Sequence, residues 1–598
     1  MLKLAKYLKP FWVGVALILA LLLAQAMLEV YLPTLMADIV NQGVVRAELT
    51  GETQTPLILR TGGLMLLVAL LAGSCSITAL YISPRVAGGA ARDLRRDLFK
   101  KVESFSQAEF DKFSSASLIT RCTNDVQQVQ TLAGLMARTL LYAPLVAIGA
   151  IIMAATRNVG MTWIIALAAI VLICIVAVTV TIAMPKFRIL QQLVDALNKV
   201  SREILHGLMV IRAFGTQAHE KKRFEKSNKE LMDTGLFIGR LMAIVMPLMT
   251  LLLGGTQVLV IWVGSSHIAD GLIASGTVAD GFNIGDMIAF LQYAIQVIFA
   301  FMMISMMMVQ LPRAQVSAAR IAEVLSTEPS IVDQDPSALK NLSGANIGLV
   351  KFENVSFRYP GAESDAIENV SFTAEPGRTT AIIGATGAGK TTIAQLLLRF
   401  YDATGGKVTV GGHDVRELKQ EELRQKIGYV PQKGQLLSGT IESNIRYGTP
   451  DASDEEIEKI AQVAQALDFI NETEGKFAHE ISQGGANVSG GQKQRLSIAR
   501  ALAKNPEIVL FDDSFSALDF ATDAKLRKAL KEHTGGATVI VIAQRVGTII
   551  SADSIIVLDE GRIIGEGTHD ELLKTCRAYH EIAQSQGVLA ENGEVPNG

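Results

Sequence analysis

Six long apolar runs crowd the first half of the chain, more than a soluble core of this size can hide. They lie at about Phe11–Leu35, Leu57–Ser83, Leu132–Thr156, Met161–Met184, Leu241–Ser265 and Ile284–Leu311. A helix needs roughly 20 residues to cross a hydrocarbon layer of about 30 Å, and each run is long enough. The pattern predicts six transmembrane helices. Over all 598 residues, 49% are hydrophobic and 19% charged, a balance that suits a chain facing lipid. The first run goes on to Leu35, beyond the short apolar core of a secretory signal, so Ala24-Gln25-Ala26 is not read as a cleavage site.

Loop charge orients the spans. The segment after the second run carries Arg92, Arg95, Arg96, Lys100 and Lys101, and the segment after the fourth carries Lys199, Arg202, Lys221, Lys222 and Arg223. The opposite loops are poor in positive charge; Ser266–Asn283 has none. The N-terminus, with Lys3, Lys6 and Lys9, is therefore expected on the cytosolic side, and six crossings return the C-terminal half there. Both basic segments keep helical apolar spacing (Leu94, Leu98, Val102, Phe105; Ile204, Leu208, Ile211, Phe214). They read as spans continuing as helices beyond the membrane.

The second half is of another kind, a soluble α/β pattern with regular charge. The expected division is a membrane domain over 1–318, a polar linker over 319–348, an ATPase domain over 349–585 and a disordered tail over 586–598. The fold class is thus a polytopic α-helical membrane domain followed by an α/β P-loop ATPase domain. A net charge of −3 gives no basic field for nucleic acid. Cys75, Cys122, Cys174 and Cys576 are scattered, which supports neither a zinc site nor a disulfide framework.

The sharpest local signal is Gly384-Ala385-Thr386-Gly387-Ala388-Gly389-Lys390-Thr391, between a strand-like run and a helix-like run that opens at Thr392. Glycines in this pattern let backbone N–H groups cradle phosphate, the lysine reaches the β- and γ-phosphates, and the hydroxyl can ligate Mg²⁺. Farther on, the buried-strand pattern Ile508–Asp512 ends in a carboxylate suited to the same ion. A third element, Ser489-Gly490-Gly491-Gln492, opens another helix.

P-loop, Ser489–Gln492 and Asp512, in this arrangement, closely resemble the nucleotide-binding domain of ABC transporters, and six spans ahead of one such domain resemble an exporter-type half-transporter. The resemblance implies further roles. Tyr359 falls where an aromatic ring stacks on adenine, and Gln432 where a glutamine senses Mg²⁺ alongside Thr391 and Asp512. Asp519 falls in the D-loop and Gln544 at the switch position. Ser106–Lys112 and Gly207–Phe214 fall where coupling helices dock on nucleotide domains. ATP and Mg²⁺ are the implied cofactors, and one set of motifs implies a second half-transporter, because each ATP of the family lies between one P-loop and the other chain's Ser-Gly-Gly-Gln.

Two positions depart from the family pattern. Asp513 stands where the family has Glu, and Gln544 where it has His. The shorter carboxylate falls back by roughly 1.5 Å, and misplacement near 1 Å can cost on the order of a hundredfold in rate. An amide carries no proton or charge near neutral pH. Together they resemble the degenerate subunit of a heterodimeric multidrug exporter: this P-loop site binds ATP and turns it over slowly, while the signature completes the site of a different chain that carries Glu and His. Gln483, where many relatives have Glu, is a further departure.

The cargo signal is thin. Met302, Met303, Met306, Met307 and Met308, with Gln292, Gln296 and Gln310, suit either an adaptable apolar pocket or lipid-facing packing. Glu29, near the outer end of the first run, is either functional or snorkelling. The expected cargo is a small amphipathic molecule or a lipid, moved out of the cytosol or inner leaflet across the plasma membrane. A homodimeric flippase or an importer on the same architecture is the alternative, and an ATP-gated channel or sensor is the alternative of another class.

Overall fold

The computed structural model describes residues 2–45, 54–275, 282–333, 340, 342 and 346–588. Its chain divides into two compact units, Met1–Glu103 with Ser115–Thr327, and Ser104–Ser114 with Glu328–Gly598.

The first unit is helical. A 3-10 helix, Leu2–Phe11, leads into α1 (Trp12–Asp38), followed by α2 (Thr55–Glu103), α3 (Val126–Arg157), α4 (Thr162–His206), α5 (Gln217–Ser275) and α6 (Ile284–Ser326). Five helical stretches, Leu4–Val45, Thr55–Glu103, Val159–His206, Gln217–Ala269 and Ile284–Ser305, are long and apolar enough to cross a membrane. Among the described residues the α3 stretch, Leu141–Arg157, is shorter. Five of the six expected crossings thus reach span length. With 49 residues, α2 is about 74 Å long at 1.5 Å per residue, more than twice a hydrocarbon core. The basic segments are helical with breaks: α2 carries Arg92 to Lys101, α4 carries Lys199 and Arg202, and α5 carries Lys221 to Arg223, while Phe105 and Phe214 fall in the non-helical joints between them. The expected linker from Ala319 begins as helix too. Ala314, Ala318, Ile321 and Val324 are buried at helical spacing and hold α6 together as far as Ser326.

Small residues set the packing of α1, α3 and α6. Ala26, Ala150, Ala154, Ala289 and Ala294 share a core cluster with Phe290 and Tyr293. At Gly285 an added Cβ would sit 2.5 Å from the Ala37 carbonyl oxygen, so only glycine permits that approach. Its N–H donates to Asn41 Oδ1 at 2.8 Å, and nearby Arg157 pairs with Asp286 at 2.8 Å and Asp38 at 3.5 Å. Glu29 is held by side-chain partners on α1 and α3. α1 continues nine residues beyond it, Gln25 Nε2 donates to Glu29 Oε1 at 2.8 Å, and the Tyr142 hydroxyl donates to Oε2. Met302 and Met303 are half-buried and Met307 is buried, while the side chains of Met306, Met308 and Gln310 lie outside the described residues.

The second unit is α/β. Its central sheet has the spatial order Arg562–Gly567, Ser554–Asp559, Thr379–Gly384, Thr538–Ile542, Ile508–Asp512, Ile427–Val430, parallel except at the Arg562–Gly567 edge. Alternate residues feed two cores: Ala381, Ile383, Val509, Phe511 and Val541 face one, and Ile382, Ile508, Leu510, Ile540 and Ile542 the other. A sheet buried on both faces needs such continuous apolar strands. An antiparallel sheet, including Val350–Phe357 and Gly405–Val410, closes over the second core. Ser104–Ser114 folds with this unit. Glu109 accepts from the Ser330 N–H at 3.2 Å, and Asp111 accepts from the Tyr401 hydroxyl at 2.5 Å.

Candidate nucleotide site

The carboxyl ends of adjacent parallel strands meet where an α/β sheet usually binds ligands. Strand Thr379–Gly384 runs into the P-loop and then helix Lys390–Leu397. Gly387 and Gly389 have φ of +89° and +96°, which turns the backbone back on itself as L side chains rarely allow. At Gly389 a Cβ would also meet Ile367 at 2.6 Å and the Ala366 oxygen at 2.7 Å. Ala385, Thr386 and Gly387 form an exposed rim, and Ala388 is buried beneath it. Lys390 Nζ donates to the Gly384 and Ala385 carbonyls, both at 2.7 Å, bracing the loop across its mouth. Burial holds its ammonium below the ordinary lysine range, against the pull of Asp513 and Asp512.

The acidic partners lie two strands away. Asp512, at the end of its strand, accepts from Thr391 Oγ1 at 3.3 Å and from the Tyr429 hydroxyl at 3.5 Å. Asp513 follows in a left-handed conformation, φ +48°, which Asp tolerates better than most side chains. Its N–H donates to the Ile542 carbonyl at 2.8 Å, and its Oδ2 accepts from Gln432 Nε2 at 3.0 Å. Burial pushes both carboxyls above the usual range. A hydroxyl and a carboxylate in contact beside a phosphate cradle are the hard oxygen donors that Mg²⁺ takes together with substrate phosphates, so the residues fit the ion. Among the described residues no set of three His, Cys, Asp or Glu forms a complete cage, which leaves most of the coordination to phosphate and water.

The remaining expected residues divide into two groups. Gln544 joins the site: with Asp513 and Arg545 it lines one narrow crevice. Tyr359 also joins it, because its hydroxyl donates to Gln395 at 2.7 Å and shares a hydrogen bond with Thr392 at 3.0 Å, fixing the ring beside the P-loop helix. Ser489–Gln492 does not. Ser489 caps helix Gly490–Ala503 reciprocally with Gln492, at 3.3 and 2.8 Å, and Ser489 and Gly490 are exposed. No hydrogen bond among the described residues ties the signature to the P-loop. Asp519 likewise caps its own helix, accepting from the Thr522 N–H at 2.9 Å.

Residues 15–301 match the family model for the ABC transporter transmembrane region, and residues 367–516 match the ABC transporter family model. The chain belongs to the ABC transporters. An uncharacterized ABC transporter ATP-binding protein of Mycobacterium tuberculosis is 40% identical over 595 residues, 99% of each chain. An ATP-dependent lipid A-core flippase of Pseudomonas fluorescens is 32% identical over 537 residues, 89% of this chain and 86% of the flippase. The structure of a bacterial Atm1-family ABC exporter with ATP bound superposes with a TM-score of 0.76 at 25% identity, covering 98% of this chain and 99% of that one. This ABC transporter is therefore a half-transporter, one membrane domain fused to one ATPase domain, and its ATPase is coupled to transport.

Two site residues of this ABC transporter escaped the motif reading. Tyr429, in the same segment as Gln432, supports Asp512. Gln586 clasps the switch loop from the C-terminus: its Nε2 donates to the Gln544 carbonyl and its Oε1 accepts from the Val546 N–H, at 2.8 and 2.7 Å. Gln586 lies at the start of the expected tail, where no motif marks it. Val588 packs on the core just beyond, and residues 589–598 lie outside the described residues.

Proposed function

We propose that this chain is the degenerate-site subunit of a heterodimeric exporter in the plasma membrane. The observation that carries the reading is Asp513 and Gln544 lining one crevice, with Asp513 close enough to Lys390 to feel its charge. Hydrolysis needs a carboxylate to orient water and a charge to steady the departing phosphate. Here the carboxylate is short and bonded to Gln432, and the switch side chain is neutral. Six crossings, the sixth being the shorter apolar stretch Leu141–Arg157, would bring the ATPase unit to the cytosol, where ATP is.

In this reading ATP enters with its phosphates on the P-loop N–H groups and Lys390, and its adenine against Tyr359. Thr391, Asp512 and Gln432 hold Mg²⁺, whose charge offsets that of the phosphates. The signature Ser489–Gln492 and Asp519 serve the partner's ATP, in keeping with their exposed positions. The helix Leu208–Ala213 favours a partner too: it has no buried residue, and Met209 and Phe214 are 80% and 78% exposed, apolar groups that a second chain would cover. The cargo is an amphipathic small molecule or a lipid, a class that includes the substrate named for the Pseudomonas relative.

The test is to purify the tagged chain from its native cells and identify what accompanies it. A second half-transporter with Glu and His at the two positions is expected. Self-pairs with rapid ATP turnover would overturn the heterodimer. Vanadate-sensitive accumulation in inverted vesicles separates export from gating, which would give ATP-dependent current and no accumulation.

A further inference from the structure

Beside the N-terminal helix lies a cavity of about 410 Å³, within the size range of small-molecule sites. Leu4 and Tyr7 line it from that helix, Ile18 from α1, Ala90 and Leu94 from α2, and Val129 from α3. On the N-terminal helix one polar group interrupts the apolar wall. Tyr7 is 8% exposed, and its hydroxyl is buried without a hydrogen-bond partner. Asp97 and Arg96 are the charges that act on it, and the Asp97 carboxylate is near enough to compete for its proton, although no hydrogen bond of good geometry forms. Buried polar groups are normally satisfied, so an orphan hydroxyl on a cavity wall marks a place for a ligand oxygen.

Helix geometry puts charge beside that hydroxyl. In a 3-10 helix side chains three apart stack in one row. Leu4 and Tyr7 form the buried row, and Lys6 and Lys9 form an exposed neighbouring one. At its other end the cavity shares Ile18, Ser83, Ala87 and Gln130 with a second chamber of about 310 Å³, lined also by Gln25, Gln127 and Thr131. Amides and hydroxyls there end the apolar path. The cavity is therefore apolar over most of its wall, with Tyr7 on the N-terminal helix and amides and hydroxyls where it meets the second chamber. Leu94 on its wall lies nine residues before the end of α2 at Glu103, and Lys6 and Lys9 beside it are the charges expected on the cytosolic leaflet.

We propose that this cavity binds one acyl chain of an anionic glycerophospholipid from the leaflet on the ATPase side. The Tyr7 hydroxyl donates to an ester or phosphate oxygen, and Lys6 and Lys9 meet the phosphate charge. The site is independent of which cargo is exported.

The test uses the full chain in phosphatidylcholine nanodiscs doped with phosphatidylglycerol carrying a diazirine at the end of one acyl chain. After irradiation, labelled peptides are mapped. Label is expected on the segments around Leu4–Leu8 and Val86–Leu94, saturating as probe density rises and displaced by unlabelled phosphatidylglycerol. Ala90→Phe, which fills the cavity, and Tyr7→Phe should each lower that label several-fold. Lys6→Gln with Lys9→Gln should reduce it to the level of a diazirine phosphatidylcholine. Non-saturating label spread evenly along lipid-facing side chains such as Leu66 and Leu70 overturns the site, and needs no variant to fold. Equal labelling by the phosphatidylcholine probe overturns the anionic head, and displacement by a free fatty acid but not by phosphatidylglycerol overturns the lipid.

Discussion

Asp513 combines two properties that pull against each other. Its carboxyl is buried and displaced upward despite Lys390 and Arg545 nearby, and among the described residues its side-chain hydrogen bond comes from the neutral amide of Gln432. Asp512 is displaced in the same direction, chiefly by burial and then by Asp513. A carboxyl with a raised folded-state pKa favours the fold below its ordinary range, and that contribution is lost as pH climbs through the raised value. At neutral pH the nucleotide-free site therefore carries both charges as a cost that bound Mg²⁺ removes. Thermal unfolding should show MgATP stabilising the chain more at pH 7.5 than at pH 5 (roughly, a pH above and a pH near the carboxyl range). Asp512→Asn should raise nucleotide-free stability by about 1 kcal/mol and abolish the MgATP shift; a variant still protected by MgATP would mean that the ion is held elsewhere. Asp513→Glu with Gln544→His should raise turnover of the assembled transporter on the order of tenfold or more, read as steady-state phosphate release. The P-loop, Asp512 and the two departures were all legible in sequence, because phosphate chemistry ties residue type to fixed spacing. Tyr429 and Gln586 were not: each acts through a hydrogen bond between segments distant in sequence, and nothing in the local pattern announces it.

At the scale of elements, the contacts of the short helix Gln107–Phe113 are unusually well defined. Ser106 and Glu109 form a capping box, Glu109 also accepts from the Ser330 N–H, and Asp111 accepts from Tyr401, whose ring lies 5.3 Å from that of Tyr359. A path of contacts thus runs from the ring beside the P-loop to this helix. Tyr401→Phe keeps the ring and removes the hydroxyl. It should leave basal ATP turnover within about twofold while reducing transport per ATP, since it touches no phosphate-binding group; equal loss of both would mean that it serves the nucleotide site directly. Helix lengths were legible from apolar and basic spacing. The reach of α6 past Ala319 was not, because a polar composition outweighed the two branched residues, Ile321 and Val324, that are buried there.

Asymmetry is the property of the whole molecule to test. If this chain lends its signature and hydrolyses little at its own site, Ser489→Arg should reduce turnover of the purified pair by tenfold or more. Lys390→Met, at the slow site, should cost much less. Equal losses would indicate two equivalent sites. The fold class and the coupling of ATPase to transport were readable because both halves carry dense, ordered signals. The cargo was not, since the methionines of α6 serve packing and pocket equally well.

The ATPase unit takes in Ser104–Ser114, so the chain enters and leaves it, then returns for good after Thr327. A fragment cut at Glu328 would therefore be missing one of its own pieces, with Tyr401 and the Ser330 N–H deprived of their partners. Such a fragment should behave as half of a split protein: less stable alone, and restored when a synthetic peptide spanning 104–114 is supplied in trans.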